Sequence, residues 1–207
     1  MIIFATNHDD STAESMSIAK SIIDENDLIL LENNAVRIQF LATLKSNAAN
    51  LMIFSHGTAQ NCLGNDENVA FSIDDIVLLN NRKSFVYACW TATELGKMAA
   101  LQPNCLYAGY NNTVITGGSE IPSEMQRIFN FIKINFPNID NQQNAENFLN
   151  NLSKLCTEAE QNYLKLYPKN LDYIGISTTL RNIWAKLEIL LDKRKYIHTD
   201  AIEPLLW

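Results

Sequence analysis

The 207-residue sequence predicts an α/β protein built on a mostly parallel sheet of five or six strands, sandwiched by helices. Two observations carry that prediction. Up to about residue 137, short apolar runs alternate with segments of helical periodicity, the pattern of a parallel sheet covered on both faces. Beyond residue 137 the apolar period is helical only, which predicts a helical C-terminal extension over 138–207, packed on an α/β domain over 1–137.

The elements follow in order. Ile2–Thr6 reads as a first strand, and a Ser/Asp-rich start opens an amphipathic helix through about Ile23. Leu28–Leu31 is a second strand, and Ala35–Leu44 a helix with Val36, Phe40 and Leu44 on one face. Leu51–Ser55 is the third strand, followed by a polar loop over 58–70 and a short helix over Ile73–Leu79. Ser84–Ala88 is the fourth strand, Thr93–Leu101 a helix and Leu106–Gly109 the fifth strand. Glu124–Phe136 reads as a helix with Met125, Ile128, Phe129, Ile132 and Phe136 inward. A long helix over Ala145–Tyr167 and a last one over Ser177–Leu191 carry core-covering stripes, the first through Phe148, Leu152, Leu155, Ala159, Tyr163 and Leu166, the second through Leu180, Trp184, Leu187 and Leu191.

Composition removes several classes of function. Net charge is -7, and the one basic run, Lys193-Arg194-Lys195, reads as a solvated helix end, so no nucleic acid is expected to bind. No run of about 18 apolar residues is present to span a membrane. The start Met1-Ile2-Ile3-Phe4 reaches His8-Asp9-Asp10 without the basic lead of a secretory signal. The four cysteines, Cys62, Cys89, Cys105 and Cys156, show no CxxC spacing, and the expectation is a reduced, cytoplasmic protein.

Reactive side chains stand at the ends of two apolar runs: Ile53-Phe54-Ser55-His56-Gly57 and Phe85-Val86-Tyr87-Ala88-Cys89. In an open parallel sheet of order 2-1-3-4-5, strands three and four are neighbours, about 4.8 Å apart, and ligands bind beyond their carboxyl ends. His56 and Cys89 then face one substrate carbonyl, the imidazole taking the thiol proton and the thiolate attacking. Gly57 lets backbone approach a ligand closely, and its N–H with that of Cys89 can form an oxyanion hole. Trp90-Thr91-Ala92-Thr93-Glu94 has the spacing of a capping box, with Thr91 as the cap, and a helix start beside the sulfur favours thiolate.

The strand–Ser55-His56-Gly57 and strand–Ala88-Cys89 pair resembles the His-Gly and Ala-Cys motifs of caspase-like cysteine peptidases. With Trp90-Thr91, Leu95-Gly96 and Ala108-Gly109-Tyr110, it is most similar to the prokaryotic CHAT branch, over roughly residues 1–120. The resemblance implies a cysteine endopeptidase acting on a protein or peptide substrate, with Cys89 as nucleophile, His56 as acid/base, and the Gly57 and Cys89 amides as oxyanion donors. It also implies control by a partner protein or by processing, and a role in bacterial defence. Tyr87 stands where metacaspases place an Asp, so the substrate pocket does not transfer. The rival readings are a catalytically silent interaction module and a thiol hydrolase acting on a small acyl substrate.

Weaker signals surround this pair. Asp9 and Asp10, after the first strand, are the expected readers of an Arg or Lys before the scissile bond; Asp10 or Ser11 is alternatively a plain helix cap. Asp66, Glu67 and Glu120 are further pocket acids. A phosphoacceptor receiver is excluded, because Ser55-His56 occupies the place of its acid after strand three. His8, Asp9, His56 and Cys89 are suitable metal ligands but lack a characteristic spacing, so no metal and no cofactor is expected. Gly117-Gly118 marks a candidate lid or processing loop, or equally an ordinary turn, and Cys62 and Cys105 are expected to be structural.

Overall fold

The computed structural model describes residues 1–116, 119–167, 173–191, 193–196 and 198. In chain order the elements are β1 (Ile2–Ala5), α1 (Asp10–Ser21), β2 (Leu28–Leu31), α2 (Arg37–Ser46), β3 (Leu51–Phe54), β4 (Asn61–Leu63), β5 (Val69–Ser72), β6 (Lys83–Tyr87), α3 (Leu95–Ala99) and β7 (Leu106–Tyr110). Then come α4 (Pro122–Asn135), α5 (Gln142–Leu166), α6 (Tyr173–Ala185), β8 (Leu187–Leu191) and β9 (Arg194–Tyr196).

The protein is α/β with a mixed, mostly parallel sheet of seven strands in the order β2-β1-β3-β6-β7-β8-β9. Its first five members are parallel and reproduce the 2-1-3-4-5 order expected from the sequence. Alternate strand residues feed two cores. Ile3, Ala5, Met52, Phe54, Phe85 and Tyr87 face α1, α4, α5 and α6. Ile2, Phe4, Leu51, Ile53 and Val86 face α2, α3 and the 3-10 turn Ile73–Leu79. Because both faces are covered, these strands read as unbroken apolar runs.

Four elements differ from expectation. The polar loop contains the antiparallel hairpin β4–β5, whose three- and four-residue strands are too short to stand out. The helix expected over Thr93–Leu101 is only Leu95–Ala99, and Trp90–Glu94 is a run of turns. The last helix ends at Ala185, and Leu187–Leu191 is a strand antiparallel to β7. Lys193-Arg194-Lys195 is accordingly a hairpin turn and the start of β9, with Lys193 at φ 65°, and not a helix end. The stretch after residue 137 thus contributes two strands to the sheet as well as helices. Five buried residues, Leu-Glu-Ile-Leu-Leu, satisfy a helical stripe and a buried strand equally in sequence. What decides is the open edge of β7, whose unpaired backbone groups β8 satisfies.

Glu188, the polar member of that strand, is buried and accepts hydrogen bonds from Asn111 Nδ2 (2.5 Å) and Lys195 Nζ (3.1 Å). One added strand therefore ties the loop after β7 to the C-terminal hairpin. Among the described residues, no helix is long and apolar enough to cross a membrane.

Candidate active site

The strand register brings the two tips together. Phe54 pairs with Tyr87 as the last rung between β3 and β6, so His56 and Cys89 each lie two residues beyond it. The contact continues past the strands: an added Cβ at Gly57 would stand 2.6 Å from the Cys89 carbonyl oxygen, 2.7 Å from Thr91 Cγ2 and 2.9 Å from Ala88 Cβ. Only glycine permits this approach of the His56 loop to the Cys89 turn. Ser55 fixes the loop from below, donating its hydroxyl to the carbonyls of Leu63 (2.6 Å) and His56 (2.9 Å). The hairpin β4–β5 closes it from the side, with Leu63 N–H on the His56 carbonyl and Thr58 N–H on that of Asn61. Among the described residues, neither the Gly57 nor the Cys89 amide N–H donates to a protein acceptor.

His56 Nε2 lies 2.5 Å from Asp9 Oδ2. A carboxylate only accepts, so the bond requires the imidazole proton on Nε2 and leaves Nδ1 as the basic nitrogen. Asp9 itself is held by the start of α1, where it is the N-cap: its Oδ1 accepts the Thr12 N–H (2.8 Å) and the Thr12 hydroxyl (2.8 Å). Burial opposes ionisation of Asp9, but the hydrogen bond from His56 and those from Thr12 outweigh it and hold the carboxyl well below the usual carboxylate range. Both side chains of the pair are partly open to water, so its main effect is to set tautomer and ring orientation.

Cys89 is half-buried and receives the Val114 N–H at 3.2 Å on its sulfur. This donor replaces the helix start expected there, since α3 begins six residues after Cys89 with no side-chain cap. Val114 belongs to the loop after β7, clamped at three points: Asn182 Oδ1 accepts the Ile115 N–H (3.1 Å), Asn182 Nδ2 donates to the Thr113 carbonyl (3.2 Å), and the Ser11 and Thr116 hydroxyls meet at 3.0 Å. Trp90, next to Cys89, has φ 61°, a conformation costly for a bulky side chain, and its N–H is held by the Asn112 carbonyl. Asn182→Ala is expected to cost about 1–2 kcal/mol and to speed amide exchange at Val114 and Ile115, read by hydrogen–deuterium exchange.

The remaining candidates sort by what they touch. Asp9 is committed to His56 and Thr12, whereas the Asp10 side chain, at the first turn of α1, is exposed. The helix cap is Asp9, and neither Asp10 nor Ser11. Asp66 spends its carboxylate on Asn68, in a turn whose Asn65 accepts the Asn7 N–H. Glu67 and Glu120 are exposed. Cys62, Cys105 and Cys156 are buried free thiols, and burial pushes Cys62 and Cys105 up to about 12. Gly117 and Gly118 lie outside the described residues.

Sequence reasoning missed the pairing of Asp9 with His56, and also Val114 and Asn182. The first was open to inference, since β1 neighbours β3 in the expected order and both segments follow the same edge of the sheet. Nothing in the residues around Asn182 signals that it holds the loop over Cys89. The arrangement as a whole has the parts for acyl transfer: a thiol with an N–H on its sulfur, an oriented imidazole on the neighbouring tip, and an unbonded amide on each tip, at Gly57 and Cys89. No family model, curated protein or solved structure matches this chain.

Proposed function

We propose that this protein is a cysteine endopeptidase of caspase-like type, with Cys89 as nucleophile, His56 as acid/base and Asp9 as the residue that positions His56. The observation carrying the reading is the 2.5 Å Asp9–His56 bond one strand away from Cys89, because it leaves Nδ1 free to work as a base. The 2-1-3-4-5 order of the parallel strands and the His-Gly and Ala-Cys tips support the caspase-like assignment.

In the reaction, the Cys89 thiol gives its proton to His56 Nδ1 and its sulfur bonds to the substrate carbonyl carbon. The oxyanion takes the Gly57 and Cys89 N–H groups, each such donor lowering the barrier by about 3 kcal/mol. Collapse breaks the C–N bond as His56 passes the proton to the leaving amine, and the acyl-enzyme remains. Water then attacks this thioester, giving its proton to His56, which returns it to the departing sulfur. Asp10 is an exposed acid next to Asp9, and a basic residue before the scissile bond is the preferred substrate. The protein acts under the control of a separate partner or of processing, with bacterial defence as its setting.

A peptidyl acyloxymethyl ketone with Arg at its reactive end tests the reading. It is expected to alkylate Cys89 and spare Cys62, Cys105 and Cys156, whose burial keeps them protonated near neutral pH. Arg reporter peptides should be cleaved faster than Asp or Leu ones. Turnover of small thioesters without any peptide cleavage would favour the small-acyl hydrolase, and an inert Cys89 the silent interaction module.

A further inference from the structure

His8, on the loop that carries Asp9, has no place in the chemistry above. Its ring lies beside that of His56, with centroids 5.0 Å apart and planes inclined by 56°. One donor atom from each of His8, Asp9 and His56 falls within a 4.8 Å cluster, and Cys89 is not among them. His8 Nδ1 is shielded from solvent and has no hydrogen-bond partner, an arrangement that costs free energy as it stands.

We infer that His8, Asp9 and His56 form a binding site for one divalent transition-metal ion of the zinc type. Two imidazoles and a carboxylate are the ligand set of a three-coordinate protein site with an open fourth position. Zinc bonds of about 2.0–2.1 Å place tetrahedral donors about 3.4 Å apart. Filling the site therefore means parting the 2.5 Å His56–Asp9 pair by about 1 Å and closing the wider edges by up to about 1.5 Å. His56 is rooted in β3, and His8 and Asp9 in the loop after β1; the two strands are paired along their whole length, which presets the separation. The cluster opens to water through the exposed side of Asp9, which gives the ion its entry and its fourth ligand.

The consequence for catalysis rests on the peptidase reading. A neutral imidazole carries one proton, so a metal at Nε2 forces it onto Nδ1, the nitrogen required as base. The metal-bound form is then the inactive one.

Calorimetric titration of the metal-free protein with Zn2+ tests the site itself. The expected result is one ion per chain, with Kd raised at least about tenfold in His8→Ala and in Asp9→Asn, and unchanged within about twofold in Cys89→Ala. Asparagine still caps α1, so the Asp9 variant keeps its fold. Co2+ should give visible d–d bands without a thiolate charge-transfer band. Binding that is lost in Cys89→Ala and kept in His8→Ala would overturn the site, as would a titration with no binding. A metal-free protein that cleaves no peptide counts against the peptidase reading alone and leaves the titration to judge the metal site.

Discussion

Cys89→Ala and His56→Ala should each lower peptide hydrolysis by about 10³–10⁴, and the double variant should be no worse than either single one. The non-additivity is the informative part. The thiol and the imidazole act on one proton, so removing either removes the same step. Asp9→Asn is the graded member of the series. It keeps the cap on α1, but its side-chain N–H2 can meet His56 Nε2 as a donor, which drives the ring proton to Nδ1. A loss of about 10–100-fold in kcat with KM unchanged is expected, because orientation and tautomer of a base matter in the transition state and not in substrate binding. Steady-state kinetics on an Arg reporter peptide measure all four variants. Full activity in His56→Ala would remove the acid/base role, and a change confined to KM in Asp9→Asn would return Asp9 to substrate recognition.

Gly57→Ala is the largest expected effect of adding a single methyl group. The new Cβ meets the Cys89 carbonyl at 2.6 Å, and backbone cannot turn aside as a flexible side chain can. Relief requires the β3 tip to part from the Cys89 turn, at a cost of roughly 2–3 kcal/mol. The same displacement carries the Gly57 N–H out of line with that of Cys89. Urea denaturation should show the loss of stability. Hydrolysis should fall by about 10²-fold or more under conditions where the variant is still folded, since one oxyanion donor is worth that much. A folded Gly57→Ala variant with normal kcat would mean that this amide does not hold the oxyanion.

Much of the fold was legible because its signals are local. Ile2–Thr6, Leu28–Leu31, Leu51–Ser55, Ser84–Ala88 and Leu106–Gly109 each coincide with a strand to within a residue or two, since the buried inner strands of a parallel sheet leave unbroken apolar runs. Leu28–Leu31 is as apolar although it is the edge strand, with Leu28 and Ile29 exposed. The stripe of α5 was equally visible, and all its expected inward positions are buried or packed on the core except Leu166, which is 72 % exposed. Elements failed where local preference was balanced. Leu187–Leu191 continues the period of α6, and only the vacant edge of β7 makes it a strand. Trp90–Glu94 has the spacing of a helix cap, yet Trp90 sits at positive φ, with its N–H and that of Ala92 tied to Asn112 and Tyr110, so the chain turns before α3 begins.

By itself, the sequence determined the α/β class, the order of the parallel strands, and the placing of His56-Gly57 and Cys89 at adjacent tips. Those features follow from hydrophobic periodicity and from the few ways parallel strands can be connected. The partners of the two tips were decided only by tertiary structure: Asp9 on His56, the Val114 N–H on the Cys89 sulfur, and Asn182 holding that loop in place. Each of these contacts joins residues 25 to 69 positions apart through one or two hydrogen bonds. Such bonds have no period and no composition, and they exist only after packing has brought the loops together.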